Sequence, residues 1–365
     1  MKRLSYYIVI LIFFAHSHSI IGIASEITLG GELKSSFTAF YTEEAGFSLL
    51  PETSLDLELF VPSWKDNEIK CAAHLFAGVT EGQTGYFWKK LYWKHKFKKL
   101  HLTIGRQPIS WSFGSLLNPV DYELGALALE QEFSVKYQNA LEAYCPLNWN
   151  TSISLVVSNP GDARDWKIGL RGRALINDFD ITAHYILEHI SPGAADDYRF
   201  GITAKGDVGS FGVYGSIGYY STEKANSFLA GLDHSFFFPA GNQLYLQAEY
   251  LNIPRTILPN ITGSVIFAPE EEPENNNNNI TLLAGNATYR VDEFSSIGIS
   301  VLYSYSSGQI LFLPSYSNKL STNCAAQIQG GIMTELLDKY EGSSLKVIFE
   351  KPDYLFLKIG LSYTF

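Results

Sequence analysis

The chain closes on Leu355-Phe356-Leu357-Lys358-Ile359-Gly360-Leu361-Ser362-Tyr363-Thr364-Phe365, and every odd position in that run is apolar. Most of the even positions are polar or small. Alternate residues of a β-strand face opposite sides. This strand therefore has one greasy face that persists to its last residue, and one face that is not greasy. A soluble domain seldom presents such a face with an aromatic at its terminus.

The same period of two runs back through the chain. Leu55, Leu57, Leu59 and Val61 alternate with Asp56 and Glu58. Ile69, Cys71, Ala73 and Leu75 alternate with Lys70 and His74, and Trp166, Ile168 and Leu170 with Lys167, Arg171 and Arg173. Ile297, Ile299, Val301 and Tyr303 alternate with Gly298, Ser300 and Ser304. A two-sheet sandwich alternates as well. Segments of about 9–13 residues, the length a tilted strand needs to cross an apolar layer, favour a barrel in a membrane. Strands are expected near 27–41, 53–61, 67–78, 85–96, 99–107, 132–145, 149–158, 165–176, 178–189, 197–208, 210–221, 227–238, 242–252, 280–291, 294–306, 322–333, 343–350 and 354–365. Segments 322–333 and 343–350 are weakly patterned. The expectation is an all-β, antiparallel transmembrane β-barrel of about 16–18 strands, an even number being the rule for single-chain bacterial barrels.

The connections sort into two classes. Phe97-Lys98, Leu147-Asn148, Asn177, Gly209, Pro239-Ala240-Gly241 and Asp292-Glu293 are tight. The alternate set holds the long ones: 42–52, 108–131, 253–279 and 307–321. Short turns on one rim and long loops on the other are what a transmembrane barrel requires. Within 253–279, Pro269-Glu270-Glu271-Glu272-Pro273-Glu274 and Asn275 to Asn279 carry too little apolar surface to pack, which reads as a solvated loop.

Met1-Lys2-Arg3, the apolar run Ile8 to Ala15 and the small residues at Gly22-Ile23-Ala24 read as an export signal over 1–24, with cleavage after Ala24 or Ser25. The single barrel domain is then 25–365. No stretch reaches 18 uncharged apolar residues. Over 365 residues, 46% are hydrophobic and 14% aromatic, yet mean hydropathy is only +0.01. A wall with lipid on one face and water on the other averages out in this way. The net charge of −10, or −12 without Lys2 and Arg3, argues against nucleic acid as a partner. Cys71, Cys145 and Cys324 have no metal-binding spacing and are odd in number, so they read as isolated apolar thiols. The six histidines beyond the signal form no metal motif, and no HExxH, GxSxG or phosphate loop is present. Neither catalysis nor a cofactor is expected. Gly209, Gly212, Gly215 and Gly218 lie within a strand pair and read as close packing.

The terminal strand resembles the closing strand of outer-membrane β-barrel proteins. The resemblance makes Leu361, Tyr363 and Phe365 the signal read by the barrel-assembly machinery. It also implies outer-membrane lipid and lipopolysaccharide as surroundings. A second resemblance lies at Gly105-Arg106-Gln107-Pro108-Ile109-Ser110-Trp111-Ser112-Phe113-Gly114, continuing through Asn118-Pro119 to Asp121. It is similar to a "GRQ…W…G…NP…D" pattern of porin-like barrels, with Ser112 where a glycine is usual. In general porins the third loop folds into the lumen, so the resemblance implies a constriction built from Arg106, Trp111, Phe113, Asn118 and Asp121. Arg106 shares the parity of Leu102 and Ile104, which is out of phase for the lumen. A bulge at Gly105 would turn it inward. The plainer reading is an Arg106–Asp121 ion pair holding the loop. Pro108 is expected to end its strand.

Alternation also yields a lumen face. Its bases are Lys34, Lys70, Lys90, Lys94, Lys136, Lys167, Arg171, Arg173, Arg199, Lys205, Arg290 and Lys358. Its acids are Glu32, Asp56, Glu58, Glu142, Asp180, Glu188, Asp207, Asp233 and Glu249. Bases exceed acids there, while Glu43, Glu44, Asp196, Asp197 and Glu270 to Glu274 are assigned to loops. Charge of one sign in a pore sets ion preference, which points to a weakly anion-preferring lumen. A lumen of mutually paired charges is the alternative. Aromatics near strand ends read as membrane girdles; Tyr214, Tyr220 and Trp88, given lumen parity, would otherwise be a sugar-stacking track. The functional expectation is passive diffusion of small hydrophilic solutes. The rival is a surface-display, adhesion or structural barrel with a closed lumen. Porins of this size are often trimers, so the resemblance admits a homotrimer, and barrel geometry alone does not require it.

Overall fold

The computed structural model describes residues 27–42, 46–78, 84–109, 136–159, 166–189, 197–222, 224–239, 241–254, 279–305, 307–341, 344–349 and 354–365. The strands are β1 (Thr28–Thr42), β2 (Gly46–Phe60), β3 (Asn67–Gly78), β4 (Thr84–Lys96), β5 (His101–Ile109), β6 (Lys136–Pro146), β7 (Thr151–Asn159), β8 (Trp166–Ile176) and β9 (Phe179–His189). They continue as β10 (Asp197–Val208), β11 (Phe211–Tyr220), β12 (Ala225–Phe237), β13 (Gln243–Pro254), β14 (Asn279–Arg290), β15 (Ser295–Ser304), β16 (Gln309–Lys319), β17 (Cys324–Glu341), β18 (Ser344–Phe349) and β19 (Tyr354–Thr364). From β1 to β17 each strand pairs antiparallel with the next, and β19 joins β17 to β1, so the sheet closes. Closure leaves the wall without an edge strand, which a membrane demands.

Nineteen segments make an 18-stranded wall. The long β17 pairs with β19 through Cys324–Met333, and further along with β18 through Leu336–Glu341. β18 is therefore the outward continuation of the last strand. The expected wall strand at 343–350 is corrected accordingly. The expected loop at 307–321 is also corrected: it contains β16. Pro314 and the unbroken run Ile310-Leu311-Phe312-Leu313 hid the alternation there. Two errors cancelled in the strand count. The expected loop at 42–52 shrinks as well, because β2 begins at Gly46.

Both ends of the wall lie on one rim. Glu32 sits opposite Thr364, and Phe365 exchanges backbone bonds with Gly31 at 3.0 and 3.1 Å. That rim also carries the tight turns, among them Asn177-Asp178 and Gly209-Ser210, with positive φ at Asn177 (45°), Asp178 (68°) and Gly209 (64°). Such backbone suits the twist of two-residue hairpins.

Outward positions are predominantly apolar around the circumference. Leu33, Phe37, Leu155, Leu170, Ile202, Ile217, Leu232, Ile299, Leu357, Ile359, Leu361 and Tyr363 are all exposed. In water such a belt would far exceed any tolerable apolar patch; facing lipid it is expected. Cys71, Cys145 and Cys324 are free thiols. The proposed signal at 1–24 lies outside the described residues.

Candidate functional site: the lumen wall

The inward positions follow from register. In β1 to β3 the even residues point in: Glu32 faces Asp56, and Asp56 faces His74. β4 changes phase. Ala72 pairs with Lys90 but Ala73 with Trp88, so Lys89 is an extra residue in a β-bulge. The bulge swings Lys89 inward, where its Nζ lies 2.6 Å from Asp56 Oδ1. The same oxygen accepts from His74 Nδ1 at 2.8 Å. Lys90 also stays inward, 3.7 Å from Glu58. Trp88 pairs beside outward Ala73, between Tyr86 and the bulge, so it is not a lumen residue as its parity suggested. Parity alone does not place Lys89 inward, because a bulge resets it and leaves no mark in hydropathy.

The bulge also explains Arg106. The β4–β5 ladder stops at Leu91 opposite Arg106. Just beyond it, Arg106 Nε donates to the carbonyl of Trp88. The guanidinium thus stands in for the ladder bond that the bulge removes. Gly105 has φ +126°, yet both of its ladders run through without a slip. Arg106 therefore keeps outward parity and does not enter the lumen. Pro108 does not end the strand either. Ile109 still pairs with Lys136, and the proline is tolerated where the β4 ladder has already stopped. Trp111, Phe113, Asn118 and Asp121 lie outside the described residues.

The densest charge lies on β8 to β10. Lys167 faces Glu188, Arg171 faces His184, and Arg173 sits one step from Asp180. Glu188 Oε2 is 3.4 Å from Lys167 Nζ and 2.5 Å from Arg199 Nη2. Arg173 makes a forked contact, Nε to Asp180 Oδ1 at 2.8 Å and Nη2 to Oδ2 at 2.5 Å. Serines line β7 inward at Ser152, Ser154 and Ser158, with Thr182 and Thr203 beyond. Lys167 is 1% exposed and Arg199 2%, so both cations are withdrawn from solvent, while Arg173 nearer the turn remains open to it. Burial on that scale demands partners for each charge, and Glu188 supplies them here. Asp197, expected in a loop, is the first residue of β10 and is buried; Ser221 and Thr222 donate to its Oδ1 at 2.7 and 2.9 Å.

On strands β11 and β13, Tyr214 donates to Glu249 Oε1 at 2.5 Å, and Gln247 Nε2 donates to the Tyr214 hydroxyl at 2.7 Å. The ring lies on Gly231, where an added Cβ would sit 2.2 Å from it. Tyr220 is inward and buried. Above this polar patch the inward face turns apolar: Leu229, Leu251, Ile253, Ile280, Leu282, Leu302, Leu311 and Leu313 form one buried cluster with Phe356. Its signal was present as doubled apolar pairs, Leu282-Leu283 and Val301-Leu302 among them, since a strand buried on both faces loses its alternation.

The remaining positions are placed as follows. Lys34 is inward, 3.3 Å from Glu32. Lys94 lies opposite Thr103 and near Glu68. Lys358 reaches Glu52 at 3.5 Å, and Lys70 reaches Glu68 at 3.6 Å. Arg290 faces Ser296 and Gln243 near the short-turn rim. Lys136 is placed only as the strand residue opposite Ile109. Leu361, Tyr363 and Phe365 are outward and exposed on the closing strand. Most inward cations thus stand beside an acid, and no group of metal-ligating side chains occurs among the described residues.

No family model matches this sequence, and no curated protein matches it in sequence. Solved structures match its fold. Wzi of Escherichia coli, described as an outer-membrane protein involved in group 1 capsule assembly and a carbohydrate-binding β-barrel, superposes with a TM-score of 0.59 at 13% identity. That match covers 92% of this chain and 84% of Wzi. OccK11 of Pseudomonas aeruginosa gives 0.56 at 6% identity, over 93% of this chain and 96% of its own. OccAB1 of Acinetobacter baumannii gives 0.54 at 8%, over 93% and 96%. The fold is that of Gram-negative outer-membrane porin-like barrels.

Proposed function

We propose that this outer-membrane barrel is a channel for passive diffusion of small hydrophilic solutes, with a weak preference for anions. The observation that carries the reading is the inward face of β1 to β10, polar and charged over most of its height behind a largely apolar exterior. A wall of that kind is built to hold water or polar solute. Its ion preference is weak because the charges are paired: Lys34 with Glu32, Lys89 with Asp56, Lys90 with Glu58, Arg173 with Asp180. Opposite charges a few ångströms apart present little net field to a passing ion. The anion preference rests on cations outside those pairs, Lys94, Lys205 and Arg290 among them. By resemblance, the segment that includes Trp111, Phe113, Asn118 and Asp121 narrows the passage and sets the size limit. No covalent chemistry is required of any residue.

A second reading is a barrel with a closed lumen that serves at the cell surface. It is favoured by the burial of Lys167, Arg199 and Thr203, inward groups that are withdrawn from solvent. Reconstitution of the mature chain into a planar bilayer, with a salt gradient across it, separates the two. Stable conductance steps with a small reversal potential of the sign for anions are expected of the channel. A strong cation preference would overturn the selectivity. A folded barrel that conducts nothing would overturn the channel and leave the surface reading.

A further inference from the structure

The short-turn rim is electrically lopsided in a way the lumen does not explain. Lys65 lies in the connection between β2 and β3. Lys98 and Lys99 form the turn between β4 and β5, and Lys96 ends β4. The other turns of this rim, at 147–150, 177–178, 209–210, 238–242, 291–294 and 320–323, hold no lysine or arginine, and the strand ends beside the last two carry one cation each, Arg290 and Lys319. Two of them hold acids, Asp178 in one and Asp292 with Glu293 in the other. In a chain of net charge −10, this local excess is not a matter of composition.

The basic sector is firmly built. Lys96 N donates to the carbonyl of Asp66 at 2.9 Å, tying the two turns together. Asn67 Oδ1 accepts from Trp93 Nε1 at 3.0 Å and from His95 Nδ1 at 2.9 Å. Asn67 Nδ2 returns to the carbonyls of Trp64 and Lys65 at 3.1 and 3.0 Å. The acids of the two turns and the strand residues beside them are Asp66 and Glu68, and Lys70 engages Glu68 at 3.6 Å. Lys65, Lys96, Lys98 and Lys99 are exposed and form no ion pair among the described residues.

The outward side of this sector is aromatic. Trp93, His95 and Phe97 run down β4 with ring centroids 5.7 and 4.1 Å apart. Phe97 and Leu100 are exposed on either side of Lys98-Lys99, and Leu147 and Trp149 are exposed on the next turn. Tryptophan and its aromatic neighbours mark the depth where acyl chains give way to headgroups. Lysines immediately past that depth stand level with phosphates.

We propose that this sector is a binding site for anionic phospholipid in the leaflet met by the short-turn rim, the periplasmic one in outer-membrane barrels. The Trp93–His95–Phe97 column lies along the acyl chain, and Lys65, Lys98 and Lys99 take the phosphodiester and its net charge. The inference rests on the outer-membrane placement of the barrel and not on transport. An asymmetric lipid contact would fix how the barrel sits in its leaflet and which flank faces neighbouring molecules.

The test uses the refolded mature barrel in phosphatidylcholine vesicles with and without phosphatidylglycerol. Retained lipid is read by native mass spectrometry, and affinity by titration with headgroup-labelled phosphatidylglycerol. Each lysine near an anionic surface is worth roughly fivefold in binding, so K98Q/K99Q should weaken phosphatidylglycerol binding about 10- to 30-fold. K319Q, on another part of the rim, should leave it unchanged. Equal wild-type affinity for the two lipids would overturn the proposal. So would a double variant that keeps the wild-type preference, or displacement of the lipid by inorganic phosphate at matching concentration. If K98Q/K99Q does not fold, by heat-modifiable mobility, the single variant K65Q carries the comparison. Conductance is recorded in parallel: a silent barrel that still selects phosphatidylglycerol refutes the channel and leaves this site standing.

Discussion

Ile299 and Ser300 are neighbours on β15 with opposite fates, and replacing each by arginine tests the orientation of the whole wall. β15 has 10 residues, flanked by exposed Phe294 on one rim and Tyr305 on the other. At about 3.4 Å per residue and a tilt near 40°, it rises about 26 Å, which matches the apolar band of an outer-membrane barrel. Ile299 is the fifth residue, so its side chain enters lipid near the midplane. Ser300 points into the lumen, where its hydroxyl donates to Asn286 Oδ1 at 3.2 Å. Arginine on the lipid face at the midplane costs about 2–4 kcal/mol, and near an interface about 0–1. Ile299→Arg should therefore destabilise by about 3 kcal/mol, roughly 150-fold in the folding equilibrium. Ile297→Arg should cost less and Phe294→Arg least. Ser300→Arg loses one hydrogen bond, about 1 kcal/mol. The assay is reversible urea unfolding in lipid vesicles, followed by tryptophan emission. A cost at Ile299 no larger than at Ser300 or Phe294 would refute the assignment of this face to lipid.

The Asp56 site should behave as a coupled unit. Asp56→Asn strips charge from a carboxylate that serves both Lys89 and His74, leaving a part-buried ammonium, and should cost about 2–3 kcal/mol. A double-mutant cycle with Lys89→Met should return more than about 1 kcal/mol of coupling, and additivity would sink the pairing. Gly105→Ala forces a side chain into φ +126° with its Cβ 2.2 Å from the Leu91 carbonyl; a loss of at least about 2 kcal/mol is expected in the same urea assay. In the β14–β15 turn, the Ser295 side chain and then the Phe294 amide hold the Asp292 carboxyl below its ordinary 3.8. A lowered folded value makes its contribution complete above that pH and lost as the pH falls through the depressed value. Amide exchange at Phe294 and Ser295 should accelerate in that acid window, and Asp292→Asn should abolish the dependence. Pore neutralisation is a separate matter: Lys94→Gln should move the reversal potential toward cations, and no movement would remove Lys94 from the filter.

Strand positions were legible wherever one face is apolar and the other polar, because a two-residue period survives any tertiary arrangement. β7 to β11 show this well, with Ile153, Leu155, Leu170 and Ile202 outward and Ser154, Arg171 and Thr203 inward. Legibility failed where both faces are apolar or a proline intervenes. β16, with Pro314 and four consecutive apolar residues, and the inward cluster around Leu282 and Leu302 carry no two-residue period to reveal them. It failed again where one inserted residue changes phase, so that Lys89 enters the lumen and Trp88 leaves it. Arg106 shows a third kind of failure: its motif was visible, but its role as a surrogate ladder bond depends on a gap in a neighbouring strand.

By itself, the sequence determined that this chain alternates in a membrane's period, that its last strand is apolar to Phe365, and that tight turns and long connections sort to opposite rims. Those are local properties, set by side-chain chemistry at fixed spacing. Only the closed sheet decided which acid meets which base, that Glu188 serves both Lys167 and Arg199, and that the turn holding Lys65 lies against the one holding Lys98 and Lys99. Such contacts join residues on different strands, and their distance along the chain says nothing about their distance across the wall. Register, closure and a single bulge supply that information, and each is a property of paired strands rather than of any one of them.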